Sequence, residues 1–252
     1  MKKAILLCGM LLAVAASVAT AGPGVNLRWS SCFGDGGALN KAFTCNTNAG
    51  TNQLVGSFEL AANMIGVSGN EQVIDLASAS ATLPAWWQFK NTGTCRQTAL
   101  SVNFAMNALN VVCADWGAGQ SNGAIGAYNI GYLSPNRARI IMASAVPPSL
   151  LQDLFAGTEY WSFNLLISNA KTVGTGACAG CSTPVCIALS SINVTTQEQA
   201  RNRKLSGPTN GTDSNYSTWQ GGGVPVTGLG SGCPAATPSQ NRTWGQVKSL
   251  YR

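Results

Sequence analysis

The chain of 252 residues contains no histidine, and only 10% of its residues are charged. Without an imidazole base, the match of Gly119 to Gly123 to the G-x-S-x-G pattern does not predict a hydrolase nucleophile elbow. The low charge content predicts a surface that is largely uncharged but polar. Hydrophobic residues make up 45% of the chain, which is enough to form a substantial core and excludes a wholly disordered protein.

No long apolar run occurs after the first 21 residues, which have the layout of a secretory signal peptide. Lys2 and Lys3 precede an apolar run from Ala4 to Val18, and residues 19–21 form an A-x-A cleavage site. We therefore expect residues 1–21 to direct export across a bacterial inner membrane. The run is shorter than the roughly 20 residues of a membrane span, so we expect no integral membrane protein. The expected location is extracellular or on the cell surface, with the periplasm as the alternative.

Positive charge is scarce in most of the chain and concentrated near its end. Residues 22–199 hold seven basic and eight acidic side chains, whereas residues 200–252 hold six basic side chains against Asp213 alone. A nucleic-acid-binding domain needs several Lys and Arg on one folded face. Because the body has no such cluster, we expect no nucleic-acid partner.

The cysteine count agrees with export. Residues 22–252 hold eight cysteines, an even number that an oxidising compartment would pair: Cys32, Cys45, Cys95, Cys113, Cys178, Cys181, Cys186 and Cys233. Local closure predicts the pairs Cys32–Cys45 and Cys95–Cys113, each worth about 3 kcal/mol in the chain-entropy account. Of the other four, we expect one turn cysteine to bond to Cys233. The alternative is a zinc site, but zinc needs four ligands and reduced thiolates, so we expect disulfides and neither metal nor cofactor.

Alternating apolar residues predict a β protein. Leu100, Val102, Phe104 and Met106 fall on one face of an extended segment. Other candidate strands are 25–30, 53–60, 72–77, 125–133, 137–146, 159–168 and 185–194. A change of phase in the last strand predicts a bulge near Ser190 and Ser191. About eight strands with little helical periodicity predict an all-β fold. We expect residues 22–200 to form a disulfide-stapled two-layer antiparallel β-sandwich of the Ig-like or jelly-roll type.

The last fifty residues differ from the body. Residues 201–240 are rich in Gly, Pro, Ser, Thr and Asn, which predicts an irregular linker. Residues 241–252 form a basic aromatic tail whose candidate recognition residues are Trp244, Lys248, Tyr251 and Arg252. In layout the tail resembles the C-terminal sorting tails of secreted bacterial proteins, although it lacks an L-P-x-T-G motif. We expect it to bind surface or export machinery, and the alternative is an ordinary docked C-terminus.

Tryptophans are the candidate ligand-binding residues. Trp86 and Trp87 are adjacent, so in an extended segment they would face opposite ways and at least one would be exposed. Trp116 lies in a Gly-rich loop. An exposed aromatic ring packs against a sugar ring, so these three residues predict a glycan partner.

Two carboxylates at a suitable separation would suffice for glycoside hydrolysis. The candidate acids are Glu59, Glu71, Asp75, Asp115 and Glu159. Strand alternation predicts that Glu59 and Asp75 point to solvent, and no pair of acids is marked by its spacing. Asp35 and Asp115 fall short of the six or so oxygens that calcium requires.

These observations favour a secreted, non-catalytic protein of surface structure or adhesion, with a tail for attachment or assembly. The alternative is an extracellular carbohydrate-binding module, and an extracellular hydrolase comes third.

Overall fold

A computed structural model describes residues 22–222, which form thirteen strands and two short 3-10 helices. The helices are Ala85–Trp87 and Gln199–Arg201. The strands are β1 (Gly24–Trp29), β2 (Asn40–Lys41), β3 (Thr51–Glu59), β4 (Met64–Ser78), β5 (Leu100–Asn103), β6 (Ala114–Asp115), β7 (Asn122–Ile130), β8 (Arg137–Ala145), β9 (Gln152–Leu154), β10 (Tyr160–Ser168), β11 (Val185–Thr196), β12 (Arg203–Leu205) and β13 (Tyr216–Trp219).

The strands form two sheets that pack face to face. The five-stranded sheet has the order β1-β3-β10-β5, with β6 also beside β10. The eight-stranded sheet has the order β2-β13-β11-β4-β8-β7, with β12 beside β11 and β9 beside β4. All pairs are antiparallel except β6 with β10 and β2 with β13. The predicted all-β, two-layer antiparallel sandwich is therefore confirmed.

Alternation of side chains explains why these segments are strands. On β8, Ala138, Ile140 and Met142 are buried against the core, while the residues between them face outward. On β11 the register against β4 shifts between Leu189 and Ser191. The bulge predicted at this point is confirmed, and it lets both halves of a long strand bury aliphatic residues.

Aromatic residues pack together in one part of the core, and two of the three tryptophans predicted to bind ligands, Trp86 and Trp87, belong to this set. Trp86 stacks on Trp219, with ring centroids 5.1 Å apart, and Trp87 packs edge-on against the same ring at 5.5 Å. The buried guanidinium of Arg96 lies 3.6 Å from the centre of the Trp86 ring. Trp86, Trp87 and Trp116 are each 0% exposed. The expectation that at least one presents its ring to solvent is wrong, because Trp86 and Trp87 lie on a 3-10 turn rather than on an extended segment.

The disulfides join distant segments. The bonds are Cys32–Cys113, Cys45–Cys181 and Cys95–Cys178, with sequence separations of 81, 136 and 83 residues. Both predicted local pairs are wrong, because the fold brings together loops that are far apart along the chain. Cys186 is also disulfide-bonded.

The sandwich extends past residue 200. Strands β12 and β13 lie within the region expected to be linker, and both pair with β11. The remaining expectations for the termini lie outside the described residues: the signal peptide 1–21, the bond to Cys233, the linker beyond 222, and the tail 241–252 with Trp244, Lys248, Tyr251 and Arg252. No helix within residues 22–222 is both long enough and apolar enough to cross a membrane.

Candidate functional site

Two loops lie over the outer face of the five-stranded sheet. The first, residues 30–39, follows β1, and the second, residues 104–121, follows β5 and contains the two-residue strand β6. The Cys32–Cys113 disulfide joins them, with the two Cα atoms 6.4 Å apart. Beneath them Asn26 and Ser57, which are outward-facing residues of β1 and β3, are fully buried. The outer face of this sheet is therefore partly an interior surface.

Asp35 fixes the second loop from the first. Its Oδ1 accepts hydrogen bonds from the backbone N–H groups of Val111 at 2.9 Å and Val112 at 2.8 Å, and its Oδ2 accepts one from Cys113 at 3.3 Å. In the other direction, the N–H of Cys32 donates to Oδ1 of Asn110 at 2.9 Å. Charge-assisted hydrogen bonds of this kind are among the stronger ones in proteins. Together with the disulfide they hold the backbone at residues 110–113 in one conformation.

Glu159, just before β10, anchors the first loop. Its Oε1 accepts hydrogen bonds from Phe33 N–H at 3.1 Å, from Asn26 Nδ2 at 3.1 Å and from the Ser57 hydroxyl. Its Oε2 accepts a fourth from Gly34 N–H at 2.8 Å. A side chain at position 34 would place its Cβ 2.7 Å from Glu159 Oε2, so a larger residue would displace this carboxylate from its present position.

The second loop exposes three large aliphatic side chains. Leu109 is 65% exposed, Val111 82% and Val112 65%. We call residues 107–113 the apolar loop. Eight large hydrophobic residues of the described chain are exposed, and three of them fall within the four positions 109–112. Single exposed hydrophobic residues are normal, but a cluster on a fixed backbone is characteristic of a contact surface for another molecule.

Three charged side chains close to the two loops already have partners. The carboxylates of Asp35 and Glu159 both accept hydrogen bonds from backbone N–H groups of the loops themselves. The neighbouring cation, Arg28, is buried and forms an ion pair with Asp213 at 3.2 Å. None of these three groups is an exposed cation of the kind that favours an anionic membrane surface.

Glu59 and Glu159 are the two candidate acids that the structure brings together. Glu59 lies on the outer face, as alternation predicts, but it is only 7% exposed, so the expectation that it points to solvent is wrong. Burial raises the pKa of Glu59, and the charge of Glu159 raises it further. Because four donors occupy Glu159, the pair is better suited to holding the loops than to acid–base chemistry on a substrate.

Asp75 was also expected to face solvent and does not. It faces outward from the eight-stranded sheet, yet it is 2% exposed because Arg139 covers it. Nε and Nη2 of Arg139 each donate to the Asp75 carboxylate at 2.8 Å, and the Ser190 hydroxyl donates to the same group. This two-bond contact raises the pKa of Arg139. Asp75 is therefore a structural acid.

The remaining candidate groups serve local structure. Asp115 accepts hydrogen bonds from the N–H groups of Gly117 at 2.9 Å and Gly119 at 2.8 Å, closing its own turn. The hydroxyl of Ser121, in the G-x-S-x-G match, donates to the Phe104 carbonyl at 3.2 Å. The close grouping of Cys32, Asp35 and Cys113 does not offer metal ligands, because its two sulfur atoms are bonded to each other.

The apolar loop is the feature that sequence reasoning missed. The segment N-A-L-N-V-V-C carries three aliphatic residues directly before a cysteine, between two predicted strands. Its irregular spacing fits neither a strand nor a helix. The sequence did contain a signal for an exposed apolar loop. Its aliphatic residues follow neither the strand nor the helix period, and they lie next to a cysteine.

No protein family matches the chain, and no curated protein is significantly similar to it in sequence. Among solved structures, a cohesin module from a family 33 glycoside hydrolase of Clostridium perfringens ATCC13124 aligns over 79% of this chain and 94% of the module. The identity is 9% and the TM-score is 0.29. A likeness this remote supports no argument about function.

Proposed function

We propose that this chain is an exported, non-catalytic module of surface structure or adhesion that binds a protein partner through the apolar loop. The single observation that carries the proposal is the combination of a fixed backbone with three exposed aliphatic side chains at Leu109, Val111 and Val112. A surface that is already ordered loses little conformational entropy on binding, so its apolar area contributes efficiently to affinity.

The disulfides support the expected compartment. Three described bonds join segments at least 81 residues apart, and such cross-links persist in oxidising surroundings. The tail, residues 241–252, is proposed to mediate attachment or assembly, since it concentrates aromatic and basic residues at the chain end.

The glycan-binding alternative was based on three tryptophans that are buried in the structure. A ring that is 0% exposed cannot stack on a sugar, and this applies to Trp86, Trp87 and Trp116. We therefore prefer a protein partner.

The test uses the full-length chain expressed in its native cells. We expect the triple variant Leu109→Ser, Val111→Ser and Val112→Ser to lose the cross-linkable surface complex that the unmodified chain forms. The matched control replaces three other exposed hydrophobic residues with serine: Leu133, Ile141 and Leu150. Deleting residues 241–252 should instead release the chain into the medium. Retention of the complex by the loop variant, equal loss in the control, or hydrolytic turnover by purified protein would each count against the proposal.

A further inference from the structure

A groove of about 370 Å³ opens at the surface between β12 and the turn that carries the chain from β3 to β4. None of the residues of the two loops described above lines it. β3 and β4 belong to different sheets, so the groove lies where the space between the two sheets reaches the surface. Its volume falls within the range of small-molecule sites.

The floor of the groove is apolar. Leu60 and Met64 line it and are also members of the main hydrophobic core, with exposures of 4% and 7%. Leu205 on β12 is half-buried and packs against the same core. An aliphatic chain lying in the groove would therefore extend the core of the protein and bury its own apolar surface.

The rim of the groove is cationic. Arg203 and Lys204, both exposed, line it, and no acidic residue does. None of the three ion pairs among the described residues includes either of them. Nη1 of Arg203 donates to the carbonyls of Arg201 at 3.2 Å and Asn202 at 3.0 Å, which holds the guanidinium in place. The groove thus combines an apolar floor with two cations that lack a carboxylate partner.

We propose that this groove binds an acyl chain that carries an anionic head group. The chain lies over Leu60 and Met64, and the carboxylate or phosphate meets Arg203 and Lys204. A neutral apolar molecule would leave the two cations without a partner, and a small anion would leave the floor exposed to water. The complementarity of both charge and polarity selects a molecule with both parts.

Three probes, titrated into the chain comprising residues 22–252, separate the contribution of the acyl chain to affinity from that of the anionic group. Octanoate has both parts, octanol only the chain, and acetate only the charge. We expect saturable binding of octanoate, about tenfold weaker binding of octanol, and none of acetate. Absence of saturable octanoate binding, or equal affinities for octanoate and octanol, would overturn the proposal.

Variants locate the site. The double variant Arg203→Gln and Lys204→Gln should reduce octanoate affinity to that of octanol without changing octanol binding. The matched control, Lys90→Gln with Arg201→Gln, removes the same charge from exposed positions outside the groove. Ala62→Phe, which adds a ring at an exposed lining position, should block both ligands. Unfolding midpoints equal to that of the unmodified chain show that each variant is folded. Octanoate binding that survives the double variant would overturn the assignment.

The anion can come from a free fatty acid or from a lipid bilayer. Co-sedimentation with phosphatidylglycerol vesicles, compared with phosphatidylcholine vesicles, distinguishes these sources. Vesicle binding that depends on Arg203 and Lys204 identifies a lipid head group. Octanoate binding without vesicle binding identifies a free acyl anion, and absence of octanoate binding refutes the proposal whatever the vesicles do.

Discussion

Oδ1 of Asp35 accepts a hydrogen bond from the backbone N–H of Val112 at 2.8 Å, across 77 residues of sequence. The side chains of Leu109, Val111 and Val112 are exposed, so the loop's conformation depends mainly on this carboxylate and on the Cys32–Cys113 bond. The polar contacts order the backbone, and the aliphatic side chains remain available for a partner. Removing the polar contacts should therefore make the loop backbone less ordered while leaving its three exposed aliphatic side chains in place.

Replacing Asp35 with alanine tests this separation. Three backbone N–H groups would lose their acceptor, so we expect a loss of about 1–3 kcal/mol in the free energy of unfolding. Amide exchange at Val111 and Val112 should become faster. The control is Asp153→Ala, which removes an acceptor from a single N–H, that of Gly66. A loss no greater than that of the control would show that Asp35 does not order the loop.

Glu59 makes a pH-dependent contribution to stability. Burial, followed by the charge of Glu159, raises its folded-state pKa above the unfolded value. A carboxyl group whose pKa is raised by folding makes its full contribution to the free energy of unfolding below the unfolded-state pKa. That contribution is lost as pH rises through the folded-state pKa. Glu59→Gln cannot ionise, so it should be more stable than the unmodified chain at neutral pH. The difference should shrink towards about pH 4.

Urea unfolding at several pH values measures this difference. The control is Glu71→Gln, which removes a carboxylate that Asn193 contacts at the exposed surface. A Glu59→Gln variant that is less stable than the unmodified chain at neutral pH would mean that the charged form of Glu59 has a partner that stabilises it.

Two disulfides form a matched pair for a third prediction. Cys32–Cys113 and Cys95–Cys178 close segments of nearly equal length, 81 and 83 residues. Replacing either pair with alanine should therefore cost a similar amount, about 2–5 kcal/mol. Only loss of the first should accelerate amide exchange in the apolar loop and abolish the surface complex. Equal effects of the two variants on the loop would contradict its proposed fixation.

Local alternation predicted much of the fold because apolar and polar residues alternate along a strand that has one buried face. The inward face of β8 and the bulge at Ser190 both follow from the period of two. Residues 201–222 were expected to be linker because Gly, Pro, Ser, Thr and Asn are together the majority there. Strands β12 and β13 nevertheless form, since the exposed edge of β11 supplies their hydrogen-bond partners.

The site was harder to predict because it depends on contacts between distant segments. Loop-closure entropy favours Cys32–Cys45, but the folded chain places Cys32 beside Cys113. Glu59 was assigned to the correct face of its strand, and the error was to equate that face with solvent. Loops from distant parts of the chain cover the outer face of this sheet and bury its residues. The sequence of the strand itself does not show that such loops will cover it.

Photo-crosslinking at Leu109 tests the central claim most directly. A photoreactive leucine analogue is placed at Leu109 or at Leu133, which are both 65% exposed, and cells displaying the full-length chain are irradiated. The account predicts a covalent adduct of discrete mass with a protein from position 109 and none from position 133. The absence of an adduct from position 109, or the same adduct from both positions, would contradict a contact surface at the apolar loop.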